Sequence, residues 1–393
     1  MRIGTKILMG GMAALLAQAS TPARAADAYD INVILPMTGG ASFVGLGQKD
    51  TLTALATYVN KNGGIQGRDL HFTFKDDQSS PQVAVQLANE ALASKPAVVM
   101  GSSIVAMCLA MAPLMESGPM HYCLSPAIHP KPGSYTFSAS SDSVDQIAAV
   151  MRYYRMKGWT KLAVLDTTDA SGQDGDRAID AVLAYPENKS MTKVDAEHFN
   201  PADISVAAQI EHIKASGAQA MIAWVTGAPA ATVFKGMIQA GLDIPVAPTS
   251  GNQTFASMAQ WESFLPKQLI LASALFPEHD GLLTLDAPME KAQKEMYAIL
   301  KDAKLKADNM VATSWDAGLI LVSALRKLGP QATAAQVKDY VANLTDYAGV
   351  DGVYDFKKYP QRGLGPDAST VTTYDAKTKA WTWLSKPGGE PLK

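Results

Sequence analysis

Short apolar runs alternate with amphipathic stretches along most of this chain, a pattern typical of parallel strands joined by helices. Residues 97–100 and 120–124 predict neighbouring strands buried on both faces, with a helix at 104–116 between them. The loops after parallel strands emerge at the carboxyl edge of a sheet, where open α/β sheets bind ligands. We therefore expect these two loops to form part of a binding site.

Small polar residues follow each of these two strands. Ser102 and Ser103 come after the first, and Ser125 and Ala127 come after the second. Hydroxyl groups and the free N–H groups of a helix N-terminus suit an anion such as a carboxylate. The same serines equally suit a capping role for the helix, and the sequence leaves both interpretations open.

Strand–helix alternation occurs twice, which predicts an α/β protein with two mostly parallel sheets. The first series runs from a strand at 30–37 to a strand at 135–139, and includes a glycine-rich turn at 38–47. The second series runs from a helix at 144–157 to a strand at 269–275, and includes a helix at 174–183. The tail predicts helices and then short strands, at 287–300, 310–328, 334–344, 354–356, 371–374 and 381–384.

The ends and the charge narrow the class of protein. Arg2 and Lys6 precede a mostly apolar stretch at 7–19, and the tripeptide Ala-Arg-Ala at 23–25 fits a signal-peptidase site. We expect cleavage after Ala25 and export of a chain without a lipid anchor. The whole chain has a net charge of −3, and loss of Arg2, Lys6 and Arg24 makes it −6. Such a charge disfavours nucleic acid as a partner.

Seven segments, in order along nearly the whole chain, resemble the leucine/isoleucine/valine-binding family of bacterial periplasmic solute-binding proteins, which are the capture subunits of ABC importers. These segments are DINVILPMTG, NKNGGIQGRDLHFTFKDDQSSP, LAMAPLMESG, SPA, KGMIQAGLDIPV, SWDAGLILVSALRKLG and GVDGVYDFKKYPQRG. The resemblance implies two Rossmann-like, doubly wound lobes joined by a three-segment hinge, closing around a solute. It places lobe one at 26–140 plus 276–366 and lobe two at 141–275 plus 367–393. It also implies a periplasmic monomer that delivers its solute to a membrane permease.

The family's binding residues carry over only in part. Its carboxylate-binding serine aligns with Val105, and the loop at 125–130 lacks the family's threonine. Ser171 stands where the family has a tyrosine, and Asn252 stands near the position of the acidic residue that often pairs with a ligand ammonium. We therefore expect a small organic acid or amide, aromatic compounds included, with no obligatory ammonium group. Branched-chain or other amino acids are the alternative ligands.

Three further residues are candidate ligand contacts. Phe43, in the glycine-rich turn, is placed to cover an apolar ligand. His129 either pairs with an anion at the cleft or is simply solvated. Thr226, after a strand of the second series, either contacts the ligand or caps the next helix.

The two cysteines, Cys108 and Cys123, lie on neighbouring predicted elements of an exported chain. They either form a disulfide or remain buried thiols, and the sequence leaves both open.

An enzyme and a ligand sensor are the two competing functions. An exported hydrolase is disfavoured because the sequence contains no G-x-S-x-G elbow, no Ser/His/Asp order and no metal-ligand spacing. We expect no cofactor and no metal. A cytoplasmic sensor built on the same fold is disfavoured because the expected leader at 1–25, a signal peptide, would export the protein.

Overall fold

The computed structural model describes residues 27–278 and 281–392, so the expected leader at 1–25 lies outside the described residues. Two parallel sheets organise this part of the chain. The first series of elements comprises β1 (Tyr29–Leu35), α1 (Ser42–Lys61), β2 (Leu70–Asp76), α2 (Pro81–Leu92), β3 (Val98–Gly101), α3 (Val105–Met111), β4 (Met120–Cys123) and β5 (Thr136–Ser138).

The second series comprises α4 (Ser143–Met156), β6 (Lys161–Thr167), α5 (Ala170–Leu183), β7 (Thr192–Phe199), α6 (Ala207–Ala215), β8 (Ala220–Ile222), α7 (Ala228–Ala240), β9 (Val246–Ala247), α8 (Phe255–Trp261) and β10 (Leu271–Ser273). The tail comprises α9 (Ala287–Ala303), α10 (Asn309–Leu328), α11 (Ala334–Ala342), β11 (Tyr347–Ala348), β12 (Val353–Tyr354), β13 (Thr370–Asp375) and β14 (Ala380–Trp383). No helix in the described ranges is long and apolar enough to cross a bilayer.

The first sheet has the parallel order β2-β1-β3-β4-β5 and is covered on both faces. Val33 and Leu35 pack on one face with residues of α1 and α10, whereas Ile34 packs on the other face with residues of α2 and α3. Alternation along one strand therefore supplies two cores, as a doubly wound sheet requires. We call this sheet with its helices the first unit.

The second sheet has the parallel order β7-β6-β8-β9 and is built in the same way. Leu162 and Val164 face one core, and Ala163 and Leu165 face the other. Strands β10, β13 and β14 form a small antiparallel sheet, and α4 packs against β10 and β13. We call these elements the second unit.

The chain passes between the two units three times. The crossings lie between β5 and α4, between β10 and α9, and just before β13. The tail helix α10 returns to the first unit and packs against α1. The predicted α/β architecture with two parallel sheets is confirmed.

Two segments predicted as turn or loop are instead the first turns of helices. Helix α1 begins at Ser42, so Phe43 is helical and not part of a turn. Helix α5 begins at Ala170 rather than 174, with Asp169 accepting hydrogen bonds from the N–H groups of Ser171 and Gly172. Gly172 lets the first turn of α5 pack closely against the end of β6, because a Cβ at this position would lie 1.7 Å from the carbonyl oxygen of Thr167.

One further helix was predicted too long, and another helix was missed. Helix α3 ends at Met111 and continues as a 3-10 turn at Ala112–Met115, where Pro113 supplies no backbone donor. Helix α8 was not predicted at all. Its start is stabilised by Thr254, whose side chain accepts a hydrogen bond from the N–H of Ser257.

Candidate functional site: a cavity between the two units

The loops after the strands of both sheets meet around one small cavity. The first unit contributes Val44, Ser103, Ile104, Val105, Leu124, Ser125, Pro126 and Ala127. The second unit contributes Ser171, Trp224, Thr226, Thr249, Ser250 and Gly251, and the remaining wall comes from Ser140, Asn309 and Met310. Because nearly all of these residues follow the carboxyl ends of parallel strands, the cavity occupies the place where α/β sheets bind ligands.

The cavity is narrow and its walls carry no charged side chain among the described residues. Its volume of about 30 Å³ holds one or two water molecules. Seven lining residues offer hydroxyl groups, and most of the others are apolar. A larger solute therefore enters only if the two units move apart, and a bound solute would meet neutral polar groups rather than ions.

Ser125 is the clearest donor on the first-unit wall. It is almost fully buried, and its Oγ accepts a 3.4 Å hydrogen bond from the N–H of Ala127. No described oxygen accepts its own proton, so the hydroxyl is free to donate to a ligand. Ser103 differs, because its Oγ already donates to Oε1 of Gln48.

Ser102 lies outside this cavity. It is fully buried, and its Oγ donates a 2.5 Å hydrogen bond to Oδ2 of Asp77. Burial raises the pKa of Asp77, and the bond from Ser102 opposes that rise. The capping interpretation of Ser102 and Ser103 was wrong, since α3 has no side-chain cap and its N-cap residue is Ile104.

Phe43 does not line the cavity either, but it contacts the opposite unit. Its ring meets the ring of Trp261 edge-on at a centroid distance of 6.2 Å. A Cβ on Gly227 would lie 3.3 Å from Cε1 of Phe43 and 2.7 Å from the carbonyl oxygen of Gly40. Only glycine allows this close approach of the two units beside the cavity.

Asn252 supports a loop instead of facing the ligand. Its Nδ2 donates to the carbonyl oxygens of Val225 and Thr249, and its Oδ1 accepts from the N–H of Gly227. Thr226 lines the cavity, and its hydroxyl shares a 2.6 Å hydrogen bond with that of Thr249. The capping alternative for Thr226 was wrong, because the N-cap residue of α7 is Gly227 and the helix has no side-chain cap.

His129 bridges the two units beside the cavity. Its Nδ1 lies 3.2 Å from Oδ2 of Asp142, and its Nε2 lies 2.6 Å from Oδ1 of Asp174. Hydrogen bonds to Asp142 and to Asp174 raise the pKa of His129. Burial alone would raise the pKa of Asp142, but the hydrogen bond from His129 and the nearby Arg362 outweigh it and hold that pKa at about 2. His129 thus pairs with carboxylates of the protein, and is not simply solvated.

Arg362 fixes the loop that carries His129. Its guanidinium is buried and donates to the carbonyl oxygens of Ile128 and Ser140 at 2.6 Å each. Its Nη1 also donates to Oγ of Ser138 at 2.9 Å. This tail residue therefore ties the loop after β4 to the first crossing between the units.

The structure joins Cys108 and Cys123 by a disulfide with a Cα–Cα distance of 6.0 Å. The bond links α3 to the end of β4 beneath the first-unit wall. The two cysteines belong to a small apolar cluster that includes Val105 and Ala127. Ala170 of the second unit packs against this cluster.

Sequence reasoning missed several lining residues. Asn309 and Met310 come from the start of α10, far along the chain, and no local pattern connects them with this cavity. Trp224 and Ser250 line the second-unit wall, although Thr226 and Asn252 were the residues chosen from these two loops. The described residues contain no cluster of His, Cys, Asp or Glu suited to a metal ion.

Comparisons with known proteins agree with this architecture. A family model described as "periplasmic binding protein" matches residues 29–379. An extracellular ligand-binding receptor from Rhodopseudomonas palustris HaA2 superposes with a TM-score of 0.80 at 17% identity, covering 91% of this chain and 100% of the other. No curated protein sequence matches the chain.

Two further solved structures were determined with ligands. The branched-chain amino acid transporter substrate-binding protein of Streptococcus pneumoniae, in complex with isoleucine, superposes with a TM-score of 0.72 at 17% identity, covering 88% of this chain and 95% of the other. An ABC-transporter solute-binding protein of R. palustris, in complex with 4-hydroxybenzoate, superposes with a TM-score of 0.72 at 16% identity, covering 91% of this chain and 95% of the other. At such identities the likeness establishes the fold alone.

Proposed function

Because the chain belongs to the periplasmic binding protein family, we propose that it captures a small organic solute between its two units and delivers it to the membrane permease of an ABC importer. The solute is a carboxylate, an amide or an amino-acid-like compound, aromatic ones included. One observation carries this proposal: the carboxyl-end loops of both sheets enclose a single cavity of hydroxyl and apolar groups. This is a family of binding proteins rather than enzymes.

The proposal includes a hinge closure of two lobes, with lobe one at 26–140 plus 276–366 and lobe two at 141–275 plus 367–393. The separate cores support this division, because residues around the first sheet pack with residues from the tail up to Ala368. Val371 instead packs with the core of the second sheet. Three crossings between the units provide the hinge, and opening them would admit the solute.

The chemistry of the walls supports a solute with a carboxylate or amide group. The free proton of Ser125 can be donated to an anionic or carbonyl oxygen, while Val105 and Leu124 provide apolar contact. Closure removes water from the cavity, which strengthens such hydrogen bonds. The protein would act as a periplasmic monomer once the leader is cut after Ala25.

A panel of small carboxylates, amides and amino acids would test the proposal by thermal shift and calorimetry. We expect one class to raise the melting temperature, and Ser125→Ala to weaken its binding by about tenfold through loss of one hydrogen bond. Ser323→Ala is the matched control, because that serine bonds within α10 away from the cavity. Preference for branched-chain amino acids would point to the alternative ligand class, and no response at all would contradict the proposal.

A further inference from the structure

The second-unit wall of the cavity contains two buried hydrogen-bonding groups without partners. Trp224 is 1% exposed and Ser250 is 3% exposed, and both line the cavity. Neither Nε1 of Trp224 nor Oγ of Ser250 has a hydrogen-bond partner among the described residues. A buried polar group without a partner is costly, so such groups in a binding cavity indicate what a ligand must supply.

The position of Trp224 is held firmly. Its backbone N–H donates a 2.6 Å hydrogen bond to Oδ1 of the buried Asp166. A Cβ on Gly175 would lie 2.6 Å from Cβ of Trp224, so this glycine leaves just enough space for the indole. The bond to Asp166 and the close approach of Gly175 therefore hold Trp224 in place on this wall.

The donor type decides which ligand groups fit. An indole N–H donates only, and a serine hydroxyl both donates and accepts. An ammonium group brings donors and a positive charge, so it cannot satisfy Trp224, and no carboxylate is present among the described lining residues to balance it. A hydroxyl or carbonyl oxygen can accept from both groups without introducing a charge.

We propose that Trp224 and Ser250 bind an uncharged oxygen of the solute and so select hydroxy- or oxo-carboxylates over the amino acid with the same carbon skeleton. This inference rests on the proposed function, since it assumes that the cavity between the units holds the solute. It assigns the selection to two residues of the second-unit wall, while Ser125 of the first-unit wall donates to the carboxylate.

Two matched series of probes test this selection. One consists of leucine, 2-hydroxy-4-methylpentanoate, 4-methyl-2-oxopentanoate and 4-methylpentanoate. The other consists of phenylalanine, phenyllactate, phenylpyruvate and 3-phenylpropanoate. In at least one series we expect the hydroxy or oxo acid to bind at least about tenfold more tightly than both the amino acid and the unsubstituted acid.

Variants then assign the effect to the two residues. Trp224→Phe and Ser250→Ala should each reduce the affinity ratio between the oxygen-bearing acid and the unsubstituted acid by about tenfold. A general loss of stability would lower the affinity for both acids alike, so a change in this ratio reports the lost hydrogen bond. Trp383→Phe and Ser369→Ala are matched controls: Trp383 donates to the carbonyl oxygen of Glu278, and Ser369 is another buried, unpartnered serine outside the cavity lining.

Three results would overturn the inference: tighter or equal binding of the amino acid, no binding of any hydroxy or oxo acid, or an unchanged ratio in both variants. These failures are distinguishable from failure of the proposed function. If the inference alone is wrong, some other small solute still binds and Ser125→Ala still weakens it. If the proposed function is wrong, no small solute binds at all.

Discussion

Nε2 of His129 lies 2.6 Å from Oδ1 of Asp174, and the two residues belong to different units. His129 follows β4 of the first sheet, and Asp174 lies on α5 of the second unit. Asp142, at the start of α4, approaches the other ring nitrogen. The pair therefore fastens the two units together at the edge of the cavity, and its strength depends on the charge of the imidazole.

Closure is expected to depend on pH through His129. Bonds to Asp142 and Asp174 raise its pKa above the ordinary 6.5, so the protonated form favours the closed arrangement. This contribution is complete below pH 6.5 and is lost as the pH rises through the raised pKa. Two arginines also face this cluster: Arg177 contacts both His129 and Asp174, and Arg362 lies beside Asp142. Solute affinity should therefore fall as the pH rises above 6.5, as calorimetry can measure.

His129→Gln should remove most of this pH dependence. The matched control is His198→Gln, because His198 pairs with Asp176 within the second unit and does not bridge the units. An equally steep pH dependence in His129→Gln would show that other groups control closure.

The disulfide is expected to stabilise the folded protein. It closes a loop of 15 residues, which by chain entropy contributes about 3 kcal/mol to the free energy of unfolding. The double variant Cys108→Ala/Cys123→Ala should unfold at lower urea concentration than the oxidised protein. A reductant should shift the wild type in the same direction and leave the double variant unchanged. Equal midpoints for oxidised and reduced wild type would contradict this assignment.

Two buried carboxyl groups of the first unit should respond oppositely to amide substitution. Burial, followed by the nearby Asp316, raises the pKa of Asp351 well above its usual range, so the folded protein favours the neutral form of this carboxyl group. Asp316 accepts from the N–H groups of Val350 and Asp351 and from the hydroxyl of Tyr354. Asp351→Asn should be neutral or stabilising, whereas Asp316→Asn should destabilise by about 2 kcal/mol or more.

The direction of the pKa shift of Asp351 predicts how the effect of Asp351→Asn on stability depends on pH. A carboxyl group with a raised folded-state pKa contributes stability at low pH and loses it as the pH rises through that value. The benefit of Asp351→Asn should therefore be largest in urea titrations above pH 7. A strong destabilisation by Asp351→Asn at every pH would mean that the carboxyl group is ionised and essential.

Gly172 should be irreplaceable for packing reasons. A Cβ there would lie 1.7 Å from the carbonyl oxygen of Thr167, so Gly172→Ala must displace the first turn of α5 and with it Ser171. We expect a loss of about 2 kcal/mol or more in the free energy of unfolding, with weaker solute binding. Gly40→Ala is the control, because no atom lies within 4 Å of a Cβ at Gly40. Similar stability of both variants would contradict this interpretation.

The sequence predicted the fold well because strands buried on both faces leave a strong local signal. The apolar run around Val33 and Ile34 indicated a covered parallel strand, and the structure confirms it. The start of α1 was placed wrongly because glycines usually mark turns. Gly45 instead lets the helix approach the preceding strand end, since a Cβ there would lie 2.3 Å from the carbonyl oxygen of Pro36.

The candidate site was only partly predictable, because it depends on contacts between distant segments. Ser125 follows a strand end and could be identified locally, whereas Val105 was identified through the family resemblance, and both line the cavity. The pairing of His129 with Asp174 joins residues 45 positions apart on different units, so no spacing rule could reveal it. Met310 belongs to the tail and reaches the cavity only through the return of α10 to the first unit.

The most direct test of solute capture is mass spectrometry of the small molecules released when the exported protein, purified from its native host, is denatured. The account predicts one stoichiometric small carboxylate or amide, which a control sample of Ser125→Ala carries at reduced occupancy. A released branched-chain amino acid would contradict the ligand class. Absence of any small molecule, together with no thermal response to the probe panel, would contradict solute capture itself.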